Sequence, residues 1–262
     1  LIESGTETSR GGYGIDDMSW EDLDKDRNQQ LYKLWNRLSS GSYFPPPVKE
    51  VGIKKKGGVI RKLGIPTILD RIAQEVAKVP LERILEPLFH ESSYGYRKGK
   101  NRHQAVDRAL KNALFNDWAI DIGFKGFFDN IDHELLLKAV GHYCSDAWIL
   151  MYVRRWLKAE VLQEDGKLVN RLTGTPQGGV ISPLLSNIYL HVVFDKWMEK
   201  NHPEKPFERY ADDMVVHCKT EKQAKFVRQM IDRRMTACKL QLHPEKTKII
   251  NLRGITENKY PR

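Results

Sequence analysis

The chain has 262 residues, with 43 lysines and arginines against 34 acidic residues, and 40% of its residues are hydrophobic. This composition excludes a collagen-like chain, a coiled coil and a disordered chain, and the length suits one large domain or two packed lobes. Residues 1–30 contain eight acids and three bases, which gives this segment a net charge of −5. Because the whole chain has a net charge of +9, the remaining residues carry +14. A basic body of this kind favours a nucleic acid as partner over an anionic lipid.

The cysteines and the hydrophobic segments indicate the compartment. Cys144, Cys218 and Cys238 are too far apart for a Cys-x-x-Cys motif, and a few scattered cysteines favour a reducing environment. The richest apolar stretch, residues 180–194, is interrupted by polar residues and a proline, so the sequence predicts no membrane span. The N-terminus lacks the features of a secretory signal. We therefore expect a soluble, cytoplasmic protein without a membrane partner, and the missing initiator methionine suggests a fragment of a longer protein.

Predicted helices occur along the whole chain. After a polar, glycine-rich lead-in, Ser19 and Asp22 form an approximate capping signal for a helix that ends near Gly41. The run of three prolines at 45–47 cannot be helical and marks a boundary. Helical periodicity predicts further helices over residues 68–88, disturbed at Pro80, and over 101–114, 132–136, 147–159, the segment after Pro183, and 221–240.

Short hairpins are predicted between these helices. Their arms are residues 51–53 with 59–61, residues 160–163 with 168–172, and residues 208–210 with 214–216. Residues 118–124 alternate in the manner of a single strand. Helices mixed with short hairpins indicate an α+β fold in which helices cover one face of a sheet.

The strongest local signal is the adjacent pair Asp212 and Asp213 at the tip of the last hairpin. Two neighbouring carboxylates between apolar strands repel each other, and a divalent cation such as Mg²⁺ is the usual compensator. An exposed polar turn is the alternative interpretation, because aspartate is common in turns. The pair Asp16 and Asp17 lies in a polar, glycine-flanked segment, and we interpret it as such a solvated turn.

Two further segments add weight to a phosphate-binding site. Residues 175–183 (Thr-Pro-Gln-Gly-Gly-Val-Ile-Ser-Pro) place a glycine turn before a helix that starts at a proline. Such a turn lets the backbone approach a substrate, and a helix N-terminus favours phosphate. Residues 127–132 place paired phenylalanines and an acid beside the end of a predicted strand, although phenylalanine pairs are more often part of a core.

Together and in this order, these segments resemble the reverse transcriptase domain of a group II intron-encoded protein, an intron maturase. The resemblance covers residues 14–251, and the matching segments are 61–66 with 70–75, 89–97, 125–133, 175–182, 210–213 and 243–248. It implies the fingers and palm of a right-hand polymerase, with an antiparallel palm sheet backed by helices. The implied divisions are an N-terminal extension with a helix at 1–45, fingers at 46–115, and a palm at 116–262 with a fingers-like insertion near 140–172. The thumb and DNA-binding regions are expected to be absent.

The resemblance also implies an RNA-directed DNA polymerase that uses deoxynucleoside triphosphates and two Mg²⁺ ions. Its implied partners are an intron RNA template and a DNA primer, with assistance to RNA splicing, and a homodimer stays open. Asp212 and Asp213 match the paired metal-binding acids of the family. Phe128 matches the aromatic residue that excludes a ribose 2′-hydroxyl, and Gln177 with Gly178 match residues that line the nucleotide pocket.

Basic residues complete the implied site. Arg61, Lys55 and Arg71 lie where the resemblance expects fingers residues to neutralise the triphosphate. A solvated basic face is the alternative interpretation of these three side chains. Lys246 is a candidate for protonating the pyrophosphate that leaves.

In the family, the first palm motif reads Asp-Ile-Lys-Gly-Phe-Phe-Asp. This sequence departs from that motif at its leading position. A gapless match on Lys125 puts Gly123 at the leading aspartate, and glycine supplies no side-chain ligand. Asp121 lies on the same strand face about 7 Å back along the strand, and it could serve as a catalytic residue and metal ligand only if the strand slipped or bulged. Alternatively Asp121 begins the motif and residues 123–124 are an insertion. We prefer the gapless match, which predicts an impaired polymerase; the alternative function is a maturase that acts mainly as an intron RNA-binding splicing factor.

Overall fold

The structure is a computed structural model, and it describes residues 12–54, 58 and 60–253. The chain forms two compact units, each assembled from two separate stretches of sequence. The first unit comprises Leu1–Glu82 and Cys144–Ser182, and the second comprises Arg83–Tyr143 and Pro183–Arg262.

Helices make up most of the regular structure. In chain order they are α1 Trp20–Lys25, α2 Arg27–Ser39, α3 Ile68–Leu85, α4 Arg102–Ala113, α5 Phe127–Asn130, α6 His133–Tyr143, α7 Ala147–Leu157, α8 Ser182–Leu190, α9 Lys196–Asn201 and α10 Glu221–Ala237. A 3₁₀ turn over Glu86–Leu88 follows α3, and a π-helix over His191–Asp195 joins α8 to α9. No helix in the described parts of the chain is both long and apolar enough to cross a bilayer.

Side chains at the helix starts explain where several helices begin. Ser19 and Asp22 form a full capping box at α1, which confirms the predicted signal. Asn101 and Gln104 form a second box at α4. Pro80 lies inside α3, which continues to its end at Leu85, so the predicted disturbance does not end the helix.

The strands of the first unit form one four-stranded sheet. They are β1 Val48–Lys54, β2 Ile60–Ile65, β4 Val161–Leu162 and β5 Leu168–Val169, in the spatial order β2-β1-β4-β5. The two hairpins are antiparallel, as predicted, and a short parallel pairing of β1 with β4 joins them. That parallel pairing links residues far apart in sequence and was not predicted.

The core of the first unit is organised around a buried carboxylate on α3. Asp70 is 1% exposed and accepts hydrogen bonds from the Tyr43 hydroxyl, the Trp156 indole and the Gln74 amide. Burial raises the pKa of Asp70, although these three hydrogen bonds act to lower it. The side-chain oxygen of Gln74 in turn accepts a hydrogen bond from the backbone N–H of Ile181, so the same network fixes the chain just before α8.

The second unit contains an antiparallel sheet with the order β6-β7-β3-β8. Its strands are β3 Trp118–Ile122, β6 Phe207–Tyr210, β7 Asp213–Cys218 and β8 Lys248–Asn251. One face carries fully buried apolar side chains, which include Ile120, Ile122, Met214 and Val216. α10 packs against β3, β7 and β8, and α4 packs against β6 and β7. The α+β class with antiparallel pairing is therefore confirmed, whereas β8 was not predicted.

Candidate active site and its supporting residues

The adjacent aspartates lie at the tip of the β6–β7 hairpin, as the sequence predicted. β6 ends at Tyr210, Ala211 adopts a left-handed backbone with φ +57°, and β7 begins at Asp213. Asp213 is exposed and Asp212 is half-buried. The turn therefore presents at least one carboxylate to solvent at the end of the sheet.

The sheet register brings Asp121 to the same face as Asp213. Asp121 pairs with Val215 on one side and with Lys248 on the other, so Asp213 is its diagonal neighbour on β7. The Cα atoms of such neighbours lie about 7–8 Å apart, so the charge of one side chain can affect the pKa of the other. Burial and the negative charge of Asp213 raise the pKa of Asp121, while the Lys248 ammonium lowers it. Pairing is regular over all five residues of β3, so no bulge moves Asp121 forward.

Gly123 follows the last residue of β3, and the register extended by one step places it opposite Asp213. Its carbonyl accepts hydrogen bonds from the His243 backbone N–H at 2.7 Å and from the Thr247 hydroxyl at 3.1 Å. A Cβ atom at position 123 would lie 2.9 Å from Cβ of Lys246. The structure therefore brings Lys246 next to Gly123, and its side chain covers the place that a side chain at 123 would enter.

The carboxylates present fit a small Mg²⁺ site better than a complete two-ion site. Mg²⁺ is commonly held by one or two carboxylates together with substrate phosphates, and Asp121 with Asp213 could supply these oxygens. The position opposite Asp213 offers no side-chain oxygen, since it is Gly123. Within residues 12–54, 58 and 60–253, no three His, Cys, Asp or Glu side chains are grouped to hold a metal. The ligand set is therefore smaller than the one that the family resemblance implies.

A buried arginine supports the aspartate turn from beneath. Arg209 is 0% exposed and donates to both carboxylate oxygens of Asp195, at 2.8 and 2.6 Å, and to the Asn187 side-chain oxygen at 2.8 Å. It also donates to the Ala211 carbonyl at 3.1 Å. Helix residues eight apart point about 80° away from each other. The π-helix His191–Asp195 adds one residue to a turn, and so Asn187 and Asp195 can both reach Arg209.

Gly95 fixes the other side of the same turn. A Cβ atom there would lie 2.2 Å from the backbone nitrogen of Ala211. The Asn187 side-chain amide donates to the Gly95 carbonyl at 2.8 Å, and the Tyr94 N–H donates to the Arg209 carbonyl at 2.8 Å. Only a residue without a side chain allows this close approach of two backbones.

Phe128 lies in the second unit on the short helix α5. Gly126, which precedes the helix, has φ +56° and lets the chain turn sharply after β3. Phe128 is buried, and its ring meets that of Phe127 edge to face with centroids 5.3 Å apart. The predicted aromatic pair thus packs as part of the unit to which Asp121 and Asp213 belong.

The glycine turn of residues 176–179 belongs to the first unit, where it is tied to β2. Gly64 donates its N–H to the Gln177 carbonyl at 2.9 Å, and a Cβ atom at Gly178 would lie 2.6 Å from the Gly64 carbonyl oxygen. Gly178 has φ +127°, in the region that favours glycine. The exposed Arg61 donates to the Gln177 side-chain oxygen at 2.5 Å. The predicted partners Arg61, Gln177 and Gly178 therefore lie together.

The other two predicted basic residues have different settings. Arg71 is half-buried and donates to the backbone carbonyls of Pro66, at 3.1 Å, and of Gly12. Burial lowers the pKa of its guanidinium. Lys55 lies outside the described residues. Of the two predicted triphosphate ligands that the structure describes, Arg61 lies beside Gln177.

The family described as reverse transcriptase (RNA-dependent DNA polymerase) matches residues 53–259, well over half of the chain. The chain belongs to the reverse transcriptase family. This confirms the family that the ordered motifs predicted.

Individual relatives narrow the type of reverse transcriptase. Group II intron-encoded protein LtrA of Lactococcus lactis subsp. cremoris is 34% identical over 70% of this chain and 32% of that protein. Protein YkfC of Escherichia coli (strain K12) is 34% identical over 93% of this chain and 74% of its own length. Nuclear intron maturase 4, mitochondrial, of Arabidopsis thaliana is 28% identical over 49% of this chain and 16% of its own length. The chain thus resembles the group II intron type, and it spans about a third of the length of LtrA.

Sequence reasoning missed the support beneath the hairpin of this reverse transcriptase domain. Arg209, Asp195 and Gly95 were not singled out, because the pairing of Arg209 with Asp195 and the approach of Gly95 to Ala211 join segments that are not neighbours in sequence. The local sequence contains no signal of this support, because Glu208 adjoins Arg209 and Lys196 adjoins Asp195. Charged residues are almost never fully buried unless they are paired, and in this chain the structure shows which charged residues form the buried pair.

Proposed function

We propose that this reverse transcriptase domain forms the fingers and palm of a group II intron-encoded polymerase. In this proposal residues 46–115 form the fingers and residues 116–262 form the palm, with a fingers-like insertion near 140–172. The pairing of β4 with β1 supports the assignment of the insertion to the fingers. The shared sheet face of Asp121 and Asp213 supports a palm site at the end of the second sheet.

The proposed substrates are deoxynucleoside triphosphates, an intron RNA template and a DNA primer. Asp212, Asp213 and Asp121 would hold Mg²⁺, which when bound stabilises charge on the attacking and leaving oxygens. Phe128 would exclude a ribose 2′-hydroxyl, and Gln177 and Gly178 would line the nucleotide pocket.

Basic side chains would then act on the phosphates. Arg61, together with Lys55 and Arg71, would neutralise the triphosphate, since charge-assisted contacts from a guanidinium are strong. Arg61 is already oriented by its hydrogen bond to Gln177. Lys246 would deliver a proton to the pyrophosphate that leaves.

We further propose that polymerisation is strongly impaired in this chain. The observation that carries this is Gly123, one residue beyond the last printed pair of β3 with β7, Ile122 with Met214. The family motif has an aspartate at this position, and this chain has no side-chain oxygen there. The second candidate function follows from the same observation. An intron RNA-binding maturase that assists splicing does not need the metal site. It needs a basic surface, and residues 31–262 carry a net charge of +14, which the acidic residues 1–30 reduce to +9 for the whole chain.

Primer extension on an RNA template tests the impairment. We expect little Mg²⁺-dependent synthesis from the protein, and the little that occurs should be lost in Asp213→Asn. Robust synthesis that survives Asp121→Ala would contradict the proposal. For the second candidate, intron RNA binding and splicing assistance should be equal in the wild type and in Asp213→Asn, and their dependence on Asp213 would exclude a purely RNA-binding role.

A further inference from the structure

An exposed aromatic ring in the first unit has one face covered by a fixed cation. Phe44 is 62% exposed and precedes β1. The Arg155 guanidinium carbon lies 4.0 Å from the centroid of the Phe44 ring. Arg155 itself is held by hydrogen bonds to the carbonyls of Gly41, at 2.7 Å, and Tyr43, at 2.6 Å. The ring is thus supported from below, and most of its surface faces solvent.

A cavity of about 300 Å³ opens beside this ring, and its lining includes Pro45, Pro47, Arg154, Lys158 and Glu160. Arg154 and Lys158 are exposed, and four residues of helix separation place them as neighbours on one side. Glu160 is the acid in this lining, so an anion would favour the side of the cavity near the two bases. A flat apolar ring next to two cations is the chemistry that binds single-stranded nucleic acid.

We propose that Phe44 is a stacking platform for one unpaired base of the RNA partner, with the neighbouring phosphates on Arg154 and Lys158. Every base has a π face, so stacking tolerates any sequence. The guanidinium beneath Phe44 adds a cation–π contact and holds the ring in place before RNA arrives. The choice of RNA rests on the proposed function, whereas the platform rests on the geometry of Phe44, Arg155 and the cavity.

Affinity for an unstructured oligouridylate, measured by fluorescence anisotropy, tests the platform. Phe44→Leu keeps an apolar side chain but removes the ring, and we expect about tenfold weaker binding. Phe44→Trp keeps a π face and should bind as the wild type does. Phe115→Leu is the matched control, because Phe115 is 72% exposed on the second unit, and it should bind unchanged.

Duplex RNA separates stacking from charge. Phe44→Leu should leave the affinity for duplex RNA unchanged, because paired bases are not available to stack. Arg154→Gln with Lys158→Gln should weaken binding of both RNAs and reduce the salt slope by about two. Thermal unfolding of each variant checks that the fold is retained.

Three results would count against these inferences in different ways. Equal oligouridylate affinity for wild type and Phe44→Leu would overturn the platform while leaving the proposed function intact. Phe44→Trp that binds as weakly as Phe44→Leu would overturn stacking as the cause. Failure of the wild type to bind either RNA would overturn the RNA-binding part of the proposed function as well.

Discussion

The molecule contains two Asp-Asp pairs in turns, and they differ in what lies beneath them. Asp17 has φ +50°, its side chain is 74% exposed, and it forms an ion pair with Lys49 at 2.9 Å. Asp16 accepts a hydrogen bond from the Met18 N–H two residues on. This is a solvated turn, as the sequence predicted.

Asp212 and Asp213 form the same dipeptide in a different structural setting. Here the left-handed residue is Ala211, and the turn joins two paired strands. Arg209, fully buried, binds the Ala211 carbonyl. An exposed lysine balances one pair, whereas a buried ion pair and a sheet register fix the other. The same dipeptide is therefore a solvated turn in one place and a fixed pair of carboxylates in the other, because different residues support the two turns.

The largest expected effect comes from restoring the carboxylate beside the second pair. Gly123→Asp should raise primer extension on an RNA template about a thousandfold, because a metal ligand contributes several kcal/mol to the transition state. The residue 243–247 loop must shift to admit the side chain, so stability should fall by about 1–3 kcal/mol. Gly123→Asn has the same shape without the charge and is the control. Equal activation by both substitutions would exclude the metal-ligand explanation.

Arg209 and Lys49, which support the two turns, should contribute very different amounts to the free energy of unfolding. Arg209→Met leaves the buried Asp195 carboxylate uncompensated, and we expect the free energy of unfolding to fall by about 3–5 kcal/mol. Lys49→Met removes the exposed partner of Asp17 and should change it by no more than about 0.5 kcal/mol. Urea unfolding measures both. Arg209→Met combined with Asp195→Leu should recover part of the loss, and similar small effects at both turns would contradict the comparison.

A smaller effect is expected from crowding the second turn at its backbone. Gly95→Ala places a methyl group against the nitrogen of Ala211 and forces the turn or its neighbour to move. We expect a loss of about 1–3 kcal/mol in the free energy of unfolding, as for other overpacked sites. The urea midpoint reports this loss, and an unchanged midpoint would mean that the close approach is not required.

The smallest effect concerns pH. Burial and the charge of Asp213 raise the pKa of Asp121. A carboxyl with a raised folded-state pKa contributes stability that is fully present below its unfolded pKa, about 4, and is lost as pH rises through the folded value. Asp121→Asn should therefore be slightly more stable than wild type at neutral pH, with no difference below about pH 4.

For the first Asp-Asp pair we expect the opposite change in stability. Asp17→Asn loses the ion pair with Lys49 and should be slightly less stable than wild type at neutral pH. Urea unfolding between acidic and neutral pH measures both variants. A gain for Asp17→Asn, or a loss for Asp121→Asn, would show that the two pairs are not distinguished in this way.

Local sequence determined much of this protein. The Ser19 cap, the hairpins and the aspartates at the tip of the last one were all predicted, because they depend on neighbours within a few residues. The order of the motifs was also enough to identify the reverse transcriptase family, which the match over residues 53–259 confirms.

Tertiary structure alone decided how distant segments support the candidate site. The parallel pairing of β1 with β4, the strand β8 and the contact of Arg209 with Asp195 all join residues whose separation hides them from local patterns. Whether Asp121 faces Asp213 depended on strand register, because a slip of one residue moves a side chain to the other face of a sheet. Sequence therefore supplied the chemical groups, and long-range packing set which of them share a surface.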